Sequence, residues 1–309
     1  MRILVAGAGV TGLTCATTLA ERGHEVHVVA RDLPLETTSA VAAAWWYPHL
    51  AMPYDRVTRW ARRTYEVLAG LSDSVDSVRM RRSYEVFGSR QPDPWWVDAV
   101  PGLDRMTDLP PGYVDGWSFD SPVAETDRYL PYLRGRLEAA GATLTRMALP
   151  ALPSGADAVV NAAGLANRAL VGDLDLYPVR GQVVRVASCG VEQVWLDQGG
   201  PDGPTYVVPR AHDVVVGGTQ ETGRWARDPD PGTAERILRR AGELVPELRD
   251  AAVLGHRVGL RPARPEVRLE LERRPGASPV VHCYGHGGAG VTLSWGCAEE
   301  VADLVESTD

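Results

Sequence analysis

Two glycine-rich runs stand at opposite ends of the 309-residue chain: Gly7-Ala8-Gly9-Val10-Thr11-Gly12 and Gly287-Gly288-Ala289-Gly290-Val291-Thr292. The first follows the apolar run Arg2–Ala6 and opens a helical pattern, so it fits G-x-G-x-x-G between a strand and a helix. Free N–H groups and the helix dipole at such a turn favour a diphosphate. The first glycine makes the tight turn, the second admits the pyrophosphate, and the third lets helix and strand pack closely. A purely structural glycine turn is the plain alternative, but it does not explain the strand–turn–helix setting. The loop does not choose the dinucleotide. The acid that usually holds a ribose hydroxyl ends the second strand, where this chain has Ala30, Arg31 and Asp32. Arg31 suits a 2′-phosphate and hence NADP, whereas Asp32 suits a ribose.

The second run bears on that choice. A nicotinamide dinucleotide needs one glycine-led helix, whereas FAD has a use for two. A second helix N-terminus aimed at the flavin pyrimidine ring stabilises the negative charge that collects there on reduction. Gly287, Gly288 and Gly290 would let backbone amides approach the ring edge, and Thr292 adds a hydroxyl in the first turn. The alternative is a turn that only closes the fold.

Composition removes several other chemistries. Every basic side chain apart from histidine is arginine, which excludes a Schiff-base lysine, a lysine general base and a P-loop lysine. A net charge of -8 argues against nucleic acid or an anionic membrane surface as partner. No apolar run approaches the roughly 20 residues of a membrane span. No signal peptide or peroxisomal address is expected. Cys15, Cys189, Cys283 and Cys297 form no C-x-x-C pair, so no metal site is expected. They read as small, buried, reduced thiols of a cytoplasmic protein.

The elements that must position the two loops follow from periodicity. Arg2–Ala6, Val10–Arg22 (closed by Gly23) and Glu25–Ala30 make a βαβ unit. Further helices are predicted over Asp55–Leu71, Thr126–Ala140, Thr233–Leu244 and Val291–Val305, with Pro131 near a first turn. "ADAVVNAAG" at Ala156–Gly164 reads as a third strand of the nucleotide lobe. "RGQVVRVA", "TYVVPR", "DVVVGGT" and "GHRVGLRPARPEVRLEL" are β-branched and alternating, as in antiparallel strands. The expected class is α/β: a Rossmann-like lobe (1–50, 122–178 and 256–309) interleaved with a mostly antiparallel, β-rich lobe (51–121 and 179–255).

At this point the chain resembles a known family. "VVHCYGHGGAGVTLSWGCA" (Val280–Ala298) closely matches the C-terminal motif of the D-amino-acid and D-aspartate oxidases, and "VGLRPARPEVRLE" (Val258–Glu270) resembles their arginine-bearing strand. "TYVVPR" with "VVVGGT", "TTSAVAAAWWYP", "VVNAAGLANRAL" and "VRGQVVRV" match in the same order, so the likeness runs nearly end to end. It implies FAD as cofactor, with the Rossmann-like lobe holding it. It implies oxidation of neutral or moderately polar D-amino acids by oxygen to 2-oxo acids, ammonia and hydrogen peroxide. Hydride passes from the substrate α-carbon to flavin N5 with no acid–base side chain. Arg261 matches the arginine that pairs bidentately with the substrate α-carboxylate, Tyr206 a tyrosine that also holds it, and Gly288 a glycine whose carbonyl receives the amine. Cofactor contacts are implied for Gly7, Ala8, Gly9, Val10, Thr11, Gly12, Arg31, Asp32, Thr38, Ser39, Ala43, Ala44, Trp45, Gly164 and Leu165. At the other end they are implied for Arg261, Gly287, Gly288, Ala289, Gly290, Val291 and Thr292. Arg264, Arg268 and His282 read as structural.

Three departures stand out. Cys283 occupies a place where the motif commonly has asparagine. A second tyrosine, carried by many members on a lid before the Tyr206 strand, gives way to "DQGGPDGPTY" with Asp202, which implies a more open entrance. Tyr47 and His49 lie on the pocket-lining segment, where each reads either as shaping the side-chain site or as a packed aromatic. D-Aspartate oxidase is the close rival and needs another cation, from Arg210, Arg224 or His49. An NADP-linked reductase rests on Arg31 alone, and a non-catalytic flavin protein is the last alternative. Members of the family often form homodimers.

Overall fold

The computed structural model describes residues 1–200 and 203–308. In chain order the elements begin with β1 (Arg2–Ala6), α1 (Val10–Glu21), β2 (Glu25–Ala30), α2 (Tyr54–Ser72), β3 (Val78–Phe87), β4 (Asp104–Arg105) and β5 (Asp115–Ala124). Next come α3 (Thr126–Ala139), β6 (Thr143–Arg146), β7 (Ala158–Asn161), α4 (Asn167–Leu170), β8 (Tyr177–Ala187) and β9 (Val194–Asp197). The remainder is β10 (Thr205–Pro209), β11 (Asp213–Gly217), β12 (Glu221–Thr222), α5 (Pro231–Leu244), β13 (Val253–Glu272), β14 (Val280–His286) and α6 (Gly290–Glu306).

Local chemistry explains the main helices. In α2, Val57, Trp60, Ala61, Thr64, Tyr65 and Leu68 recur every three or four residues and form the buried stripe. That stripe meets α6, where a Cβ on Gly296 would overlap the Trp60 backbone. Asp230 starts α5 by accepting the Thr233 N–H at 2.7 Å, with Pro231 at the first helical position. Pro131 lies in the second turn of α3 rather than the first, so the Asp127 carbonyl has no i+4 donor.

All strands join one fourteen-stranded sheet, ordered β4-β5-β3-β9-β10-β11-β8-β13-β14-β7-β1-β2-β6, with β12 on β8. The β6–β2–β1–β7–β14 portion is parallel. The rest is antiparallel except for β3 beside β9. The twenty-residue β13 pairs with β8 through Val253–Ala263 and with β14 through Ala263–Glu272, so one strand passes through both halves. The sequence reading missed β4, β6, β9 and β12, strands of two or four residues that carry no apolar run like that of β7.

Three apolar clusters support this sheet. The largest packs α1, α2, α3 and α6 on the parallel portion. A second lies under α5 and holds Val86, Val184, Val207 and Val216. The third, on the opposite face of the same strands, holds Val183, Val194, Val208 and Val215 beside Trp45 and Tyr206. That last face closes over the site.

Candidate functional site

A single cavity of about 570 Å³ takes in both glycine loops. Both loops line it together, Gly7, Ala8, Gly9, Val10 and Thr11 with Gly287, Gly288, Gly290, Val291 and Thr292, since a Cβ on Gly290 would sit 3.8 Å from Val10. Arg31, Asp32, Gly164 and Leu165 also line it, and Tyr206 and Arg261 line the other end. Thr38, Ser39, Ala43, Ala44 and Trp45 line the stretch between.

The first loop turns where Gly7 adopts φ 113°, and a Cβ there would overlap the Ala162 carbonyl. Gly9 is the N-cap of α1 and offers no side chain, and the first helical turn carries no acid. Ser39 Oγ accepts the Val10 N–H at 3.0 Å. The Leu13 N–H bonds to the Gly9 carbonyl, so those of Thr11 and Gly12 precede the first helical acceptor. The N-cap of α6, Ala289, likewise gives no side-chain bond, and its first turn is also free of acids. Leu293 is the first residue there to find a helical acceptor, on Ala289. Two uncapped, acid-free helix N-termini on one cavity fit a ligand that is anionic at one end and gains charge at the other. FAD meets that description.

Some expected contacts are corrected. Gly12 does not line the cavity. A Cβ on it would overlap the Gly7 carbonyl, so it serves helix–strand packing. Ala289 is fully buried behind the second turn and does not reach the cavity either. The Thr292 hydroxyl is already engaged: it accepts the Tyr47 N–H at 3.1 Å and donates to the Tyr47 carbonyl at 3.0 Å. It therefore ties α6 to the Tyr47 segment. Thr38 donates to the Leu260 carbonyl at 3.1 Å, and Trp45 Nε1 donates to Ser121 at 2.6 Å. Arg31 and Asp32 pair with each other through two bonds of 2.9 and 2.5 Å.

The other end is built from side chains. Arg261 leaves β13 over Gly181, where a Cβ would overlap the guanidinium, and its Nη1 donates to the Thr219 carbonyl at 2.9 Å. Among the described residues it makes no ion pair. A Cβ on Gly288 would sit 3.6 Å from both Arg261 Cδ and His49 Cδ2, which places all three around one spot. The Tyr206 ring lies over Gly217 and Gly218, which have no side chains to obstruct it. His49 bonds to Gln220, and burial with the nearby Arg261 charge pushes its pKa down to about 4, leaving it neutral.

Of the cations considered for a side-chain carboxylate, Arg210 pairs with Asp213 at 2.6 Å and lies outside this cavity, and Arg224 pairs with Glu221 at an exposed edge. The expected structural residues are paired: Arg264 with Asp173 at 3.0 Å, Arg268 with Glu270 at 2.6 Å, and His282 with Glu272 at 2.7 Å.

A family model described as FAD dependent oxidoreductase matches residues 2–304. The chain belongs to this FAD-dependent oxidoreductase family. It is 53% identical to the D-amino-acid oxidase of Rubrobacter xylanophilus, across 98% of this chain and 95% of that protein. It is 38% identical to human D-aspartate oxidase, across 98% and 94%. Glycine oxidase from Bacillus cereus shares the fold at a TM-score of 0.82 and 20% identity, covering 99% of this chain and 97% of its own. The cofactor is FAD, and the NADP reading of Arg31 falls. Arg31 is instead an Asp32-paired residue at one end of a flavoprotein cavity.

Several lining residues of this FAD enzyme escaped the sequence reading: Gln198, Gln220, Arg227, Gly259 and His286. Gly259 and His286 lay in recognised motifs and Gln198 in the entrance loop, but none was given a role; burial pushes the His286 pKa down to about 4. The entrance loop is described at 198–200 and 203–205, whereas Asp202 lies outside the described residues. The cysteines also hold a correction. Cys189 is half-buried, not buried, and Cys283, Cys297 and His286 place their ligand atoms within 4.8 Å of one another. Spacing in sequence gave no hint of that convergence. No helix among the described residues is long and apolar enough to cross a membrane.

Proposed function

We propose that this FAD enzyme oxidises D-amino acids with neutral or moderately polar side chains. The overall reaction takes the amino acid, oxygen and water to a 2-oxo acid, ammonia and hydrogen peroxide. The observation that carries the reading is Arg261, a guanidinium without a carboxylate partner among the described residues, facing the cavity beside Gly288 and Tyr206. A guanidinium fork suits bidentate capture of an α-carboxylate, which fixes the α-carbon. Bound FAD supplies the two-electron acceptor. The chain's part is positioning and water exclusion. Tyr206 adds a second group toward the carboxylate, Gly288 leaves room for the α-carbon and a carbonyl for the amine, and neutral His49 does not compete as a cation.

The 53% identity to a D-amino-acid oxidase supports the same reading. D-Aspartate oxidation is the second reading, favoured by 38% identity to the human D-aspartate oxidase. Of the cations considered for it, Arg210 and Arg224 are paired elsewhere and His49 is neutral. We also infer the two-lobe division given above, a cytoplasmic setting supported by four free cysteines, and a possible homodimer on family grounds alone.

The test is anaerobic. D-Alanine added to the FAD-loaded protein should bleach the flavin, and L-alanine should not. If none of D-alanine, D-proline and D-aspartate bleached it, the oxidase reading would fall and a non-catalytic flavin protein would remain.

A further inference from the structure

We propose that Glu85 is a specificity-determining residue: its carboxylate makes the cavity wall beyond Tyr206 anionic, so the site turns away acidic D-amino acids and accepts their neutral isosteres. The inference rests on the D-amino-acid reading above.

The sheet register places the group. Across the strands, Trp117 pairs with Glu85, Glu85 with Leu196, Leu196 with Tyr206, and Tyr206 with Gly217. Residues paired in this way point to the same face. Glu85 therefore shares the face of Tyr206 and Leu196, both of which line the cavity, and stands two strands, about 10 Å, from Tyr206. Its neighbours on β3, Tyr84 and Val86, point the other way.

Glu85 is 2% exposed and reaches the cavity through two lining residues. Its Oε1 accepts from the Tyr47 hydroxyl at 2.8 Å and from Gln198 Nε2 at 2.6 Å. Tyr47 is held in turn by stacking on Trp45, with centroids 4.7 Å apart. Among the described residues Glu85 has no ion-pair partner. A buried carboxylate without a cation is costly, and beside Trp45, Tyr47 and the neutral hydroxyls of Ser83 and Ser121 it has no packing advantage. At this depth its charge is poorly screened, so it acts on a substrate side chain that extends from the Arg261 end.

The groups around it make its charge separable. Tyr47 is kept protonated by burial and by Glu85 itself. His49 stays neutral above about 4. Arg105, beyond Trp117, is bound to Asp115 and lies 3.9 Å over the Trp117 ring. Asp197 alternates to the opposite face of β9, where it accepts from Tyr113 at 2.9 Å. Burial pushes the Glu85 pKa up to about 7, so this carboxyl titrates near neutrality while a substrate carboxylate stays ionised.

The test compares kcat/KM for two isosteric pairs, D-aspartate with D-asparagine and D-glutamate with D-glutamine, in the FAD-loaded enzyme and in Glu85→Gln. The amide keeps an acceptor for Tyr47 and Gln198. The acid-to-amide ratio should rise by about tenfold or more, while D-alanine turnover stays within about threefold. An unchanged ratio with D-alanine activity intact would overturn the proposal. The native enzyme gives a second readout that does not depend on the variant folding. Its acid-to-amide ratio should fall as pH rises from about 6 to about 8.5, because the ratio cancels every titration common to both substrates. A flat profile would also overturn it. An enzyme that oxidised none of these D-amino acids would instead sink the functional reading itself.

Discussion

The two ends of the cavity are built on different principles. The part read as the cofactor end is made by backbone: Gly7 to Thr11 at one helix and Gly287, Gly288, Gly290 and Val291 at another, with small residues such as Ala43 and Ala44 between. The substrate end is made by side chains from separate elements, with Arg261 on β13, Tyr206 on β10, His49 and Tyr47 on the segment before α2, and Gln198 after β9. A diphosphate needs closely approached N–H groups, and a few neighbouring residues supply them. Chiral recognition of an amino acid needs groups converging from several directions, which no single segment can supply.

Substitutions can separate the two ends. The largest effect is expected for Arg261→Ala, with kcat/KM for D-alanine falling about a thousandfold, or about 4 kcal/mol, while the flavin spectrum is retained. If flavin were lost together with activity, the two ends would not be separable at this residue.

His286 lies where they meet, and it links the site to stability. Burial depresses its folded pKa to about 4, from an ordinary value of 6.5. The unfolded chain therefore takes up a proton first as pH falls. The stabilisation is full above about 6.5 and is lost progressively down to about 4, amounting to about 3 kcal/mol at the low end. Urea unfolding at both pH limits should show His286→Gln losing less stability on acidification than the native chain. Equal losses would assign the acid sensitivity to other groups.

A smaller effect, about 2 kcal/mol, is expected for Gly12→Ala, whose Cβ would press on the Gly7 carbonyl. Flavin retained after gel filtration should fall, whereas kcat of the fraction that stays loaded should hold. Reduced kcat in that fraction would mean the first loop reaches the chemistry as well as the phosphate.

The smallest expected change is for Thr292→Val, which removes two hydrogen bonds to the Tyr47 backbone and costs about 1–2 kcal/mol. Because it loosens the seam between the two ends, KM for D-amino acids should rise more than flavin affinity falls. Equal changes in both would place Thr292 at the cofactor end alone.

The amino-acid sequence by itself determined the two nucleotide-type turns, the βαβ start and the long helices. Each is carried by residues close together in the chain: glycine at three fixed offsets, or an apolar stripe with a helical period. The role of Arg261 came from the family resemblance and not from its local pattern. Tertiary structure alone decided that Ala289 packs rather than lines the cavity, that the Thr292 hydroxyl holds Tyr47, and that Arg210 and Arg224 are paired elsewhere. It alone brought Glu85 into register with Tyr206, through the four-residue strand β9. Local pattern records what one segment can form by itself. Strand register and side-chain convergence depend on which distant segments become neighbours, and only the assembled sheet settles that.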